Sequence, residues 1–197
     1  MNLGLAATVF FVMFFAELPD KTMIATLIMG SRGQPRAVWL GASLGFVVQM
    51  AIASVAGRFL NKLPHTALEI AITLVFLGGA VYLLFVPESS EVAEGETEAA
   101  AEAPKRFLAT AGAAFGVILV AEFGDLTQLL AAGFVARSGE ILTVFIASSL
   151  ALIVVSGIGS FGGQALLKVL PLARIRQGGG ILLLGFGIYT LVTLVTS

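Results

Sequence analysis

The chain contains only two aspartates, Asp20 and Asp125, and each follows a glutamate by three positions, Glu17 and Glu122. Residues at i and i+3 share one face of a helix, so each pair can converge on a common point. Thr22 and Thr127 lie two positions beyond the aspartates and offer hydroxyl oxygens, and Gln128 adds an amide oxygen. Carboxylate, hydroxyl and amide oxygens are hard donors. They suit calcium, magnesium or manganese, whereas zinc and copper prefer imidazole or thiolate. The chain has no cysteine, and its single histidine, His65, stands beside Pro64 at a helix boundary and reads as a loop residue. Four carboxylates around one divalent cation leave negative charge uncompensated. Lys21, next to Asp20, is placed to offset part of it and protons can offset the rest. Crowding and low dielectric both disfavour full ionisation of such a group. A site of this kind binds metal or protons, and can exchange one for the other.

The elements that carry these residues are apolar. Hydrophobic residues make up 58% of the 197 positions and charged ones 12%, with a mean hydropathy of +1.01. A soluble domain carries roughly 25% charged residues, so the expected solvent for most of this chain is lipid. A net charge of -1 gives no reason to expect a nucleic-acid partner. Met1 to Ala16 contains no lysine or arginine and so lacks the basic start of a signal peptide. Six segments have the roughly 20 apolar residues of a membrane helix: 3–29, 37–60, 66–86, 107–136, 141–167 and 177–196. A charge at bilayer depth costs about 2.5–3.5 kcal/mol on insertion scales, so four acids inside such segments need a function. Pro19 cannot donate to the carbonyl of Phe15 and is expected to kink the first helix; Gly124 weakens the other at the matching place. Glu88 to Glu102, rich in Glu and Ala, reads as a mobile acidic linker that joins the two halves and has room for some helix.

The chain repeats itself. Glu17-Leu18-Pro19-Asp20-Lys21-Thr22 returns 105 residues later as Glu122-Phe123-Gly124-Asp125-Leu126-Thr127, and Phe76 to Tyr82 resembles Leu183 to Tyr189. Three helices per half require the second half to enter the membrane from the opposite face. The expected fold is therefore an all-α membrane protein of six transmembrane helices in two inverted three-helix repeats, 1–86 and 107–197, joined by an acidic linker over 87–106. Such repeats place substrate sites near the midplane. Loop lysines and arginines divide as Arg58, Lys62 and Arg137 on one face against Arg32, Arg36, Lys105, Arg106, Lys168, Arg174 and Arg176 on the other. The positive-inside rule puts the second set, with the linker, in the cytoplasm and both termini outside. Gln49 and Gln164 read as packed amides, Trp39, Tyr82 and Tyr189 as an interfacial belt, and Gly41-x-x-x-Gly45 as a close helix contact. Gly178-Gly179-Gly180 lacks the strand–helix context of a phosphate loop.

The doubled hexapeptide resembles the Glu-x-Gly-Asp-Lys/Arg-Thr/Ser signature of the Gdt-type cation/proton exchangers of the lysine-exporter superfamily. That family includes manganese and calcium transporters of the Golgi, chloroplast and bacteria. The resemblance spans two motifs, six helices and the acidic linker, and departs from the signature at Pro19 and Leu126. It implies that Glu17, Asp20, Thr22, Glu122, Asp125 and Thr127 form the functional site. It also implies a secondary transporter moving manganese, or calcium, against protons, with no cofactor beyond the transported ion. A bacterial inner (plasma) membrane is the expected location, and the thin wall of six helices leaves room for a homodimer. The competing class is an exporter of a small organic cation such as a basic amino acid. An intramembrane enzyme has less support: without cysteine, a Ser/His pairing or HExxH, only an Asp20–Asp125 dyad remains. A scaffold would have to use the linker. No ATP-binding motif is present, which leaves an ion gradient as the driving force.

Overall fold

The computed structural model describes residues 2–18, 20–99, 106–169 and 172–196, with side chains at all of these except 88, 163–169 and 172. Pro19, Lys105 and the linker end through Glu102 lie outside the described residues, as do the side chains of Gln164 and Lys168. The described chain is helical and has no strand. Its nine helices are α1 (Leu3–Glu17), α2 (Lys21–Ser31), α3 (Pro35–Leu60), α4 (His65–Phe85), α5 (Glu88–Glu98), α6 (Phe107–Ala121), α7 (Leu126–Ser138), α8 (Ile141–Val169) and α9 (Leu172–Thr196). Long apolar runs must fold this way in lipid, because a helix satisfies every interior backbone group within its own segment.

Helices α3 and α4, together with Ile141–Gly162 and Ala173–Thr196 of α8 and α9, are each long and apolar enough to cross a membrane. The remaining two spans are broken: α1 meets α2 at 68°, and α6 meets α7 at 67°. Both breaks fall at the repeated motif. At the second break Gly124 has φ +82, a left-handed conformation that glycine adopts without a Cβ clash. The protein is thus an all-α membrane protein with six spans when each bent pair is one crossing.

The packing repeats as the sequence does. Helix α3 lies on α6 as α8 lies on α1, and α2 lies on α8 as α7 lies on α3. The pairs α3–α8 and α4–α9 close the arrangement across its centre. A Cβ on Gly41 would stand 2.0 Å from the carbonyl oxygen of Ala111, so only glycine lets α3 approach α6 this closely. The core is built from Val9, Met13, Phe46, Met50, Phe76, Leu130 and Leu152. Leu44, Leu74, Leu142 and Val195 face outward, where lipid is the solvent.

Two expectations are corrected. The segment read as a mobile linker forms α5 over Glu88–Glu98 and packs on α2, with Glu91 buried. The last span reaches back to Ala173 rather than 177, and Arg176, read as a loop charge, is buried within it. Its charge is compensated by partners that an apolar-residue pattern cannot reveal.

Candidate cation site

Each broken span places its two acids on either side of the break. Glu17 ends α1 and Glu122 caps α6, while Asp20 and Asp125 are the N-cap residues of α2 and α7. Neither aspartate uses its side chain to cap its own helix. Both are therefore free to face the centre, where the positive ends of α2 and α7 favour negative charge. One oxygen from each of Glu17, Asp20, Glu122 and Asp125 lies within 4.8 Å of the other three. Glu17 and Glu122 are fully buried, Asp20 is buried and Asp125 is half-buried.

The surrounding bonds follow the repeat. Thr22 donates its hydroxyl to Glu17 Oε1, and Thr127 donates to Glu122 Oε2 at 3.2 Å. The Lys21 ammonium lies 2.8 Å from Asp125 Oδ1, so the basic residue of the first half neutralises an acid of the second. Glu17 Oε2, Asp20 Oδ2 and Glu122 Oε1 are buried without a hydrogen-bond partner among the described residues. Gln128, expected to add an oxygen, accepts from the Gly124 N–H at 2.7 Å and donates to Gln49 at 2.6 Å. Gln49 in turn donates to the Leu119 carbonyl at 2.5 Å. These two amides brace the second break from α3.

Sequence reasoning missed Glu91. One of its oxygens accepts from the Lys21 N–H at 3.2 Å, and the other from Tyr82 Oη at 2.5 Å and Arg176 Nη1 at 3.1 Å. The linker is thereby tied to the residue beside Asp20. Its signal was hidden among five other linker glutamates that read as solvated. Tyr82, assigned to an interfacial belt, is bonded inward instead. A cavity of about 430 Å³, lined in part by Leu74, Gly78, Tyr82, Gly124 and Leu129, reaches Asp125.

A family model described as divalent cation/proton antiporter GDT1 matches residues 5–91 and 110–197. The chloroplastic GDT1-like protein 1 of Oryza sativa subsp. indica is 26% identical over 97% of this chain and 62% of its own length. The chloroplastic PAM71-homolog protein of Arabidopsis thaliana is 38% identical over 39% of this chain and 20% of its own. A GDT1-like protein of Schizosaccharomyces pombe is 29% identical, over 39% of this chain and 27% of its own length. The chain spans about three fifths of the length of the rice relative. No solved structure matches it. The two matched stretches each contain one bent span with its Glu and Asp, and the chain belongs to the GDT1 divalent cation/proton antiporter family.

Proposed function

We propose that this chain is a secondary transporter that moves a divalent cation, manganese foremost and calcium next, in exchange for protons. The observation that carries the reading is the acid cluster, in which three buried carboxylate oxygens have no hydrogen-bond partner among the described residues. Buried polar atoms without partners are costly, and a divalent cation or protons would relieve that cost. Glu17, Asp20, Glu122 and Asp125 act as cation ligands, with Thr22 and Thr127 orienting the two glutamates. Lys21 holds Asp125 when the cation is absent and yields it when the cation binds. Protons replace the cation on the same oxygens as the cavity is exposed alternately to the two sides. The family is one of transporters rather than enzymes. The linker side faces the cytoplasm: with the buried Arg176 set aside, the positive residues still divide six against three.

The test uses purified protein in liposomes with a metal-sensitive dye and a pH dye under an imposed proton gradient. Manganese or calcium flux opposed to proton flux is expected. Glu17→Gln or Asp125→Asn should reduce it at least about a hundredfold, since even outer partners of a metal ligand are worth roughly 10–100-fold. Undiminished flux in both variants would overturn the reading. Flux of lysine without metal flux would transfer the site to an organic cation.

A further inference from the structure

Two ion pairs outside the acid cluster, each with an arginine over a tyrosine ring, lie at opposite ends of the α4–α9 pair, and of the two only Arg176–Glu91 is also hydrogen-bonded. At the linker end, Arg176 Nη1 lies 3.1 Å from Glu91 Oε1, and its guanidinium carbon stands 5.3 Å from the Tyr82 ring centroid. At the other end, Arg137 Nη1 lies 3.3 Å from Glu69 Oε2, and its guanidinium carbon stands 5.1 Å from the Tyr189 ring centroid. The repeat relates them. Tyr82 and Tyr189 are 107 residues apart, and so are Glu69 and Arg176. Helices α4 and α9 therefore contribute the same two positions to each end, with the charge reversed.

The linker-end cluster adjoins the acid site, since Glu91 accepts from the Lys21 N–H, and the other cluster lies 12 residues along α7 from Asp125. Glu69 and Tyr82 are separated by 13 residues of α4, about 20 Å at 1.5 Å per residue. Tyr82 lines the cavity that reaches Asp125. Arg137 and Tyr189 line a separate cavity of about 290 Å³. The inner wall of that cavity includes Phe76, Phe134 and Phe186, whose ring centroids lie 5.3 to 5.9 Å apart. Glu69, Glu91 and Arg176 are buried. Buried charges need their partners, so either pair can part only if water reaches its charged groups.

We propose that these clusters are the two gates of the transport cycle. Arg176–Glu91 under Tyr82 closes the linker side, and Arg137–Glu69 under Tyr189 closes the other, backed by the three phenylalanines. The proposal rests on the transport reading above and adds the residues that gate each side. It also gives α5 a role: through Glu91, the linker supplies half of one gate and grips the N-terminus of α2 beside Asp20.

The chain has no cysteine, so a single Thr127→Cys reports access to the site by its reaction with an impermeant thiol reagent. Labelling would be measured from each side of sealed vesicles of known orientation. Glu91→Gln should speed labelling from the linker side by about tenfold, the change that roughly 1.4 kcal/mol taken from one closed state produces. It should leave the far side unchanged or slower. Glu69→Gln should do the reverse. Tyr82→Phe, which keeps the ring but loses the bond to Glu91, should give a smaller shift on the linker side and covers the case of a misfolded Glu91→Gln. Labelling that rises from both sides in both variants, or changes in neither, would overturn the gates and leave a merely structural role. If the wild type moves no metal while the labelling asymmetry holds, the metal-transport reading fails, and what stands is that the two clusters control access to the acid site from either side.

Discussion

Lys21 sits within the acid cluster yet bonds to the acid of the other half, 2.8 Å from Asp125. A cation arriving at the cluster must compete with this ammonium for the Asp125 oxygen. Lys21→Met removes the competitor without adding a ligand, so apparent metal affinity should rise severalfold while turnover falls, because release loses the group that reclaims Asp125. Initial rates against metal concentration would show both changes; an unaltered KM would make Lys21 a bystander. The four acids and two threonines were legible in the sequence because charge within apolar segments is expensive, and a repeat of it is not accidental. Glu91 and Arg176 were not legible. Each belongs to a stretch whose composition reads as solvated, and only the packing of α5 and α9 shows them buried together.

The breaks belong to the elements rather than to single side chains. Each turns one crossing into two half-helices whose ends meet at the acids. Gly124 foretold where the second span would bend, but the bracing of that bend by Gln49 and Gln128 was not foreseeable, since neither amide is near the other in sequence. At Gly124 a Cβ would meet nothing within 4 Å, yet φ is +82. The cost of Gly124→Ala is therefore one of backbone conformation alone, about 1–2 kcal/mol, and should appear as a lower midpoint of thermal unfolding in detergent. A midpoint equal to wild type would mean that the bend relaxes freely. Helix α5 makes a different prediction. Burial pushes the Glu98 carboxyl up to about 7 from an ordinary 4.5, and Glu94, Asp125 and Glu91 add to this against the pull of Lys21. A raised carboxyl favours the docked helix most when protonated. Docking should therefore weaken as pH rises from about 4.5 to about 7 and then level off. A polarity-sensitive fluorophore on Glu96→Cys would report it, and Glu98→Gln should flatten the curve.

At the scale of the whole molecule, α5 is the one described helix without a counterpart in the other half. It lies on α2, whereas α7, the counterpart of α2, lies on α4. The pseudo-symmetric body alone would offer equivalent ends to the two sides of the membrane; α5 makes them unequal. Replacing Glu88–Glu98 by a Gly/Ser segment of equal length preserves the connection between halves, because such a chain spans freely. It removes Glu91 from Arg176, Tyr82 and the Lys21 N–H together. If α5 only joins the halves, exchange in liposomes should continue at the wild-type rate. If α5 holds the linker side closed, metal binding should survive, since all four acids remain, but metal should leak down its gradient without opposed proton movement. The ratio of proton to metal flux, read from the two dyes in one preparation, separates these outcomes. A preserved ratio would reduce α5 to a tether, whereas a collapsed one would make the asymmetric helix the reason that a symmetric body exchanges rather than leaks.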